Sequence, residues 1–418
     1  MDQIVILGGG AAGILAAISA AKYAAKDTRV LLLEQNPRIG KKLLATGNGR
    51  CNLDNRNMAA SHYHSADTLS AKEMLDAIGA DMPLAFFEEL GLVTRTDEQG
   101  RVYPYSNQAA DFLNLLLYWL DKYHVAVKTE CKVKAISQKG REYMVMTESG
   151  ERIYAKSVIC AFGGKAGPQF GTDGFGVRFA KDCGLQTVTE YPCLVPLRCS
   201  KEQIAGLAGI RVKAIASLYC DGLILACEDG EIQFTEQGLS GIAIMQLSNC
   251  MNKPKAAYRI GLNLFPELDT KQVTKLLCDR IRYMKGCTVE QMLNGLCNKR
   301  VGIAVLKAAG CKKLDLPAEQ LTAAELQRIA GTFGNLEFTE LSLMDYKQAQ
   351  TTGGGIALHQ LDPKSFMLKG CPGLYFVGET LDVVGNCGGY NLHFAFGSGI
   401  IAGKAAAYAL RHDGKRKK

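Results

Sequence analysis

The chain has 418 residues, 47% of them hydrophobic, which suits two to three domains with a sizeable core; no apolar run approaches the roughly 18 residues of a membrane span. Fifteen cysteines without a C-x-x-C pair argue for reduced thiols and against a dithiol, zinc-ribbon or iron–sulfur centre, and six histidines with only His62 and His64 close together leave no metal site to expect. The formal net charge of +8 is half accounted for by the tail, where Arg411, Lys415, Arg416, Lys417 and Lys418 face Asp413 alone, and the rest reads as spread along the chain without basic–aromatic interleaving, so no nucleic-acid partner is expected.

Ile4-Val5-Ile6-Leu7 is a short apolar run bounded by glycine, the pattern of a strand buried in a parallel sheet. It begins too early for a signal segment to precede it, so a cytoplasmic location is expected. Gly8, Gly10 and Gly13 follow with G-x-G-x-x-G spacing, and 14–25 reads as an alanine-rich helix. In that arrangement one glycine makes a tight turn, one lets the backbone approach a pyrophosphate, and one packs helix on strand. The helix start then offers free N–H groups and positive dipole to phosphate. A second apolar run, 30–33, ends in Glu34, placed to accept hydrogen bonds from ribose hydroxyls. Gly397, Gly399 and Ala402 meet a looser form of the same spacing but follow a helical stretch, and are set aside.

Next comes a basic loop, Gln35-Asn36-Pro37-Arg38-Ile39-Gly40-Lys41-Lys42, and then a Gly/Asn-rich arm, Leu43-Leu44-Ala45-Thr46-Gly47-Asn48-Gly49-Arg50-Cys51-Asn52. An NAD domain would pass straight into its next helix. A long arm entered through cations suits FAD, which extends past its pyrophosphate toward a second ring system.

Further on, 62–91 reads as mostly helical with a second start at Pro83, 109–123 as a helix, and 125–127 as a third parallel strand. A β-excursion over 133–136 and 143–146 follows, then a buried strand at 158–161 ending in Phe162-Gly163-Gly164. From Tyr191 to about Gln237, turns at Asp221-Gly222 and Asp229-Gly230 suggest short antiparallel strands. The stretch 270–330 is helical and charged, with capping signals at Thr288 and at Thr322 through Glu325. The last parallel strand, 374–377, closes on Gly378-Glu379, and 392–410 forms the final helix. The expected class is α/β, with a discontinuous nucleotide domain (1–190 and 346–418) that closes on itself around an insert. The insert divides into a β-module (191–240 and 333–345) and a helical domain (241–332).

Several of these stretches resemble one family, the BaiN-like group of bacterial FAD-dependent NAD(P)/FAD oxidoreductases, which includes aminoacetone oxidase and a dehydro-bile-acid reductase. The shared motifs are Gly8 to Gly13, Lys42 to Asn52, Gly100-Arg101-Val102-Tyr103-Pro104, Thr172-Asp173-Gly174-Phe175-Gly176, Phe234 to Gly241, Thr352-Gly353-Gly354-Gly355 and Gly388-Gly389-Tyr390-Asn391-Leu392. The resemblance implies FAD, a Rossmann-type domain, a β-barrel-like insert and a helical cap. Departures fall at Tyr103, where Phe is usual, at Glu236, where His is common, and at His393, where Gln is common.

Carried over residue by residue, the resemblance places the adenosine and pyrophosphate against Gly8, Gly10, Ala12, Gly13, Glu34, Gln35 and Lys42, with Val133 at adenine and Ala161 and Gly163 alongside. Thr46, Gly49, Arg50, Cys51 and Asn52 run along the pyrophosphate and flavin; Gly378, Glu379 and Asp382 meet the ribityl portion. Gly389, Tyr390 and Asn391 open a helix whose dipole would stabilise negative charge at flavin N1 and O2. Hydride transfer at N5 further needs a dry pocket and a proton source. Candidates are Tyr390, His393 and Cys51, the last if Arg50 or a helix end lowers its pKa, with Cys387 and Tyr103 behind them. Backbone N–H groups at 351–355 would polarise a substrate carbonyl. The expected reaction is reduction of a carbonyl-conjugated C=C bond in a steroid-like or other small apolar substrate, with NAD(P)H visiting the same pocket as transient reductant. The rivals are an O₂-dependent oxidase of a small amine or aminoketone, and an RNA-binding or redox-sensing flavoprotein.

Overall fold

Ile4, Val5, Ile6 and Leu7 have no exposed surface because the strand Gln3–Leu7 lies at the centre of a five-stranded sheet in which every neighbour is parallel. The computed structural model describes residues 3–253 and 256–415, with side chains to Arg411, so Arg416, Lys417 and Lys418 of the basic tail lie outside the described residues. In order across the sheet the strands are Leu374–Phe376, Ser157–Cys160, Gln3–Leu7, Arg29–Leu33 and Ala126–Lys128. Parallel pairing sets Leu7 beside both Leu33 and Cys160. Gly8, Glu34 and Ala161 therefore emerge along one edge, the carboxyl edge where such sheets bind ligands. Contacts divide the chain into two compact units, one built from residues up to Cys193 and from Ala349 onward, the other Leu194–Gln348.

In the first unit the helix Ala11–Tyr23 packs along the C-terminal helix Tyr390–Lys415, which begins two residues earlier than the sequence suggests. Gly399, set aside earlier, and Gly403 explain how close they come: a Cβ on Gly399 would lie 2.2 Å from the Ala12 carbonyl oxygen, and one on Gly403 2.3 Å from that of Ala16. Ser19 Oγ also donates to the Ile400 carbonyl at 2.7 Å. The 62–91 region yields the helices Thr68–Ile78 and Met82–Glu89, with Pro83 in the first turn of the second as expected. Its first residues form a turn and a two-residue strand, Tyr63–His64, paired with Val384–Gly385. Beside the parallel sheet, Thr187–Cys193 pairs antiparallel with Thr351–Ile356.

The second unit is a seven-stranded sheet in the order Leu336–Phe338, Tyr258–Asn263, Arg211–Cys220, Leu223–Phe234, Gly238–Ser240, Leu197–Arg198, Ser342–Leu343. Its two edge strands follow each other in sequence. The link from Phe338 to Ser342 reaches at most about 14 Å, so the sheet must curl toward closure, which is the barrel-like form. Asp221-Gly222 makes the hairpin turn, but Asp229-Gly230 does not turn: it lies inside the strand Leu223–Phe234, paired with Ile215 and Ala214. A Cβ on Gly230 would come within 3.3 Å of Ala243, so this glycine serves close packing. The stretch 241–332 is not a separate helical body. Its strand Tyr258–Asn263 sits inside the sheet, and Leu277 and Ile329 of its helices share one core with Phe234 and Phe338.

Two capping boxes start the helices Thr270–Tyr283 (Asp269 with Gln272) and Ala323–Gly334 (Thr322 with Glu325). Thr288 pairs reciprocally with Gln291 and opens only the short turn Gln291–Leu293. The charge is less dispersed than the sequence reading held: 270–313 carries ten lysines and arginines against Asp279 and Glu290. Aromatic interleaving is present there too, with Arg282 lying 5.2 Å over the ring of Tyr283, which is 76% exposed. Among the described residues no helix is long and apolar enough to cross a membrane.

Candidate functional site

The glycine turn does three separable jobs. Gly8 has φ +110°, and a Cβ there would stand 2.3 Å from the Ala161 carbonyl oxygen, so it lets two parallel strands end side by side. Gly13 seats the helix on the strand, since its Cβ would fall 1.8 Å from the Gly8 carbonyl oxygen. Gly10 is different: a Cβ there meets nothing within 4 Å. It precedes a helix with no side-chain cap, whose first internal bond runs from Ile14 N–H to Gly10 O at 3.0 Å. The N–H groups ahead of Ile14 thus face an open cradle.

This cradle continues into a groove lined by Gly8, Gly10, Glu34, Gln35, Arg38, Lys41, Lys42, Val133, Ala161, Gly163, Gly164, Thr172 and Glu379. Glu34 is only 8% exposed, with Oε2 accepting from Gly9 N–H (2.7 Å) and Oε1 from the Asn36 N–H (2.8 Å) and Nδ2 (2.7 Å). A carboxylate has about four acceptor sites, so Oε2 keeps one for a ribose hydroxyl. Gln35 Nε2 donates to Gly171 O and Asn36 Nδ2 to Phe170 O (3.2 Å), which ties the loop around Gly171 over the second strand. Lys42 Nζ pairs with Glu379 Oε2 at 2.6 Å, and Glu379 Oε1 accepts from Thr352 N–H (3.0 Å) and Oγ1 (2.9 Å). Thr352 Oγ1 in turn accepts from the N–H groups of Lys165 and Ala166 at 2.8 and 2.9 Å. Asn36, Gly164, Thr172 and Thr352 were not singled out as cofactor residues in the sequence. The hints lay in the segments that contain them: the basic loop after Glu34, the strand end at Gly163-Gly164, and the motifs Thr172 to Gly176 and Thr352 to Gly355.

Outside the groove lining lie Ala12, Gly13, Thr46, Gly49, Arg50, Cys51, Asn52, Gly378, Asp382, Gly389, Tyr390 and Asn391. Gly378 N–H donates to Ser398 Oγ (3.0 Å), and a Cβ on it would press on Ala12 at 2.9 Å. The arm Leu43–Gly49 is a broken 3₁₀ turn, with Thr46 Oγ1 donating to Leu43 O at 2.6 Å and Asn48 and Cys51 at positive φ. Gly49 faces open space at φ +82°. The arm then meets the helix start: the Asn52 amide donates to Asp54 O (3.0 Å) and accepts from Gly389 N–H (3.1 Å). Asn391 closes that turn by accepting from Gly385 N–H (2.9 Å) and donating to Gly385 O (2.7 Å).

The proton-donor candidates separate sharply. Cys51 has no exposed surface, and burial pushes its thiol up to about 12, so the expected acidified thiol is overturned; Arg50 instead lies 5.0 Å over the Tyr103 ring. Tyr390 is 5% exposed and its hydroxyl donates to Asn57 O at 3.3 Å, while its ring stacks on His62 at 4.5 Å. Burial, then the charge of Asp54, raises its pKa further. His393 is 1% exposed, with Nδ1 lying 3.0 and 3.1 Å from the two oxygens of fully buried Asp54. The glycines at 353–355 have a packing role. They let the strand Thr351–Ile356 touch Cys193, Tyr191, Thr189 O and Thr380 O.

Asp382 holds the segment ahead of the helix Thr68–Ile78: its Oδ2 accepts from Ala66 N–H (2.9 Å) and Ser65 Oγ (3.2 Å). Burial pushes its carboxyl up to about 6 against the pull of those donors. An acid whose native pKa is raised binds its proton more tightly when folded. Its ionisation therefore costs stability as pH rises from about 4 to about 6, and the cost stays constant above that. Asp382→Asn keeps an acceptor for Ala66 and Ser65 and removes the charge. It should raise stability at pH 8 by up to about 2–3 kcal/mol, with the gain vanishing near pH 4, as denaturant midpoints at the two pH values will show.

An all-parallel sheet whose first crossover is laced with glycine and opens onto a cationic groove places the chain among flavoprotein oxidoreductases with a Rossmann-type FAD domain. More particularly, the chain belongs to the HI0933-like protein Rossmann domain family, whose profile matches residues 2–405. It is 36% identical over 410 residues, 97% of this chain and 99% of the other, to the 3-dehydro-bile acid delta(4,6)-reductase of Clostridium scindens. It is 25% identical over 402 residues, 94% of this chain and 95% of the other, to the ribosomal RNA dihydrouridine synthase of Escherichia coli. A 3-ketosteroid delta1-dehydrogenase structure from Sterolibacterium denitrificans shares the fold at a TM-score of 0.51 and 12% identity, over 98% of this chain and 100% of that one.

Proposed function

We propose that the chain reduces a C=C bond conjugated to a carbonyl in a steroid-like or other small apolar substrate, with NAD(P)H as reductant and hydride passing through flavin N5. The observation that carries this reading is the 36% identity, over 97% of the chain, to a protein named as a 3-dehydro-bile acid delta(4,6)-reductase. That name describes saturation of ring double bonds conjugated with a 3-oxo group.

Bound in the groove, FAD would supply a hydride acceptor and donor at N5. Gly10 and the first turn of the helix Ala11–Tyr23 hold its pyrophosphate, Glu34 its ribose, and Lys41 and Lys42 its negative charge. Lys42 is already held by Glu379 and so carries its charge in a fixed place. The start of the helix Tyr390–Lys415 presents its positive end to a developing anion, braced by Asn52 and Asn391. Of the three proton-donor candidates, His393 keeps an uncommitted polar atom, Nε2. The sequence holds no second strand–GxGxxG–helix unit, so NAD(P)H and substrate alternate in one pocket and kinetics are ping-pong.

The test reduces the purified yellow protein anaerobically with NADH or NADPH and follows flavin absorbance after adding a 3-oxo-4-ene steroid or air. Fast recovery with the enone and slow recovery in air is the expected result. Rapid peroxide formation with no enone response would replace this reading with the oxidase.

A second reading has two observations behind it: the full-length relatives named ribosomal RNA dihydrouridine synthase, and the ten cations on 270–313 with exposed Tyr283 among them. The C5=C6 bond of uracil is also conjugated to a carbonyl, so the chemistry would be unchanged and only the carrier different. Binding of ribosomal RNA whose log affinity falls steeply with log salt, together with uridine-dependent flavin recovery, would favour it.

A further inference from the structure

Asp54 and His393 come from the two segments that meet at the Asn52–Gly389 contact: Asp54 from the strand that follows the arm, His393 from the first turn of the last helix. Neither is solvated, at 0% and 1% exposure, and a buried carboxylate persists only with hydrogen-bond partners. Asp54 has two: Asn55 N–H at 2.7 Å and the Nδ1 edge of His393 at 3.0 Å. The acceptor-only carboxylate forces a proton onto Nδ1, which fixes the tautomer of the neutral ring. The opposite nitrogen, Nε2, has no hydrogen-bond partner among the described residues. The other titratable groups that feel Asp54 are Tyr63 and Tyr390, whose pKa values burial and then Asp54 both raise, so neither competes as a donor.

From this geometry we infer that Asp54 is the positioning residue that makes His393 the proton donor of the reaction. The inference rests on the reductase reading and adds to it the source of the second hydrogen. Reduction of the conjugated bond takes a hydride at the β-carbon, supplied ultimately by NAD(P)H, and a proton at the α-carbon. The Nε2–H bond of the imidazolium breaks as the new C–H bond forms, the ring is left neutral with its Nδ1 proton still facing Asp54, and water returns the lost proton to Nε2. His393 is a group that can exchange a proton, and the hydrogen bond to Asp54 holds its ring in place.

The experiment compares wild type with His393→Gln and Asp54→Asn, each loaded with FAD. ¹⁵N spectra of the wild-type imidazole should show Nδ1 carrying a proton whether or not Nε2 does, and an Nε2 signal that shifts when the flavin is reduced with dithionite. Asp54→Asn should scramble the tautomer. In stopped flow, both variants should be reduced by NAD(P)H as fast as wild type. Enone-dependent reoxidation should slow on the order of 10²-fold, within the usual contribution of a positioned acid, and the pH limb belonging to the imidazole should disappear in His393→Gln. An Nε2 signal indifferent to flavin reduction, or variants that lose only thermal stability while keeping the reoxidation pH profile, would make the pair a structural tie and overturn the proposal. If wild type reduces no enone, the reductase reading falls, and the spectra still decide whether His393 faces the flavin.

Discussion

Gly13→Ala is expected to abolish the folded flavoprotein, whereas Gly10→Ala should leave the fold standing and remove the cofactor. A methyl at Gly13 would sit 1.8 Å from the Gly8 carbonyl oxygen and 3.2 Å from Ala161 Cβ, and the first of these is backbone in the middle of the sheet edge. No rotamer change relieves that, so helix and strand must separate; the expected cost exceeds about 4 kcal/mol. At Gly10 the backbone is extended (φ −86°, ψ −168°) and the space beyond is open, so alanine is tolerated and the unfolding midpoint should hold within about 1 kcal/mol. That open space is what a pyrophosphate needs. FAD content per folded molecule, read as the ratio of visible to protein absorbance, should fall at least tenfold. A Gly10→Ala protein that stays fully yellow would mean the cradle holds something other than the dinucleotide.

The same contrast marks what could be read from the residues alone. The run Ile4 to Leu7, its glycines and terminal Glu34 were legible because strand, turn and helix are contiguous and each glycine answers a local demand. The parallel strands 158–161 and 374–377 were legible as buried apolar runs. Their order in the sheet was not, because it is set by pairing between residues more than 100 positions apart. At Asp229-Gly230 the residue types signal a turn, yet the strand continues because ten cross-strand pairs with Arg211–Cys220 outweigh a local preference. Cys51 failed as an acidified thiol for a similar reason: Arg50 next to it in sequence turns away to Tyr103, and burial then decides the pKa. Asp54 never stood out, since a single aspartate carries no pattern until the fold sets it against His393.

The C-terminal helix supplies the second large effect, and its sign is the point. Alanine exceeds glycine in helix propensity by about 1 kcal/mol, so Gly→Ala inside a helix stabilises wherever there is room. At Gly331 in Ala323–Gly334 a Cβ meets nothing within 4 Å, and the substitution should stabilise by about 0.5–1 kcal/mol. At Gly399 the Cβ would lie 2.2 Å from Ala12 O, and no side-chain adjustment relieves the clash, because the neighbours at 3.0 and 3.2 Å are Ala12 backbone atoms as well. Gly399→Ala should therefore destabilise by about 3 kcal/mol or more. Gly397 is little more permissive, since its Cβ would meet Cγ2 of Ile78 at 2.4 Å, and a buried β-branched residue in a helix has few rotamers to move to. Because Ala12 stands in the first turn between Gly10 and Gly13, the shift forced at Gly399 moves the N–H groups that face the pyrophosphate. Loss of FAD affinity should accompany the loss of stability in Gly399→Ala and be absent in Gly331→Ala. Melting curves with and without excess FAD separate the two: added cofactor raises the midpoint by mass action in wild type and Gly331→Ala, and by much less in Gly399→Ala. Equal FAD-induced shifts in all three would show that the two terminal segments of the chain bind the dinucleotide independently of how closely their helices pack.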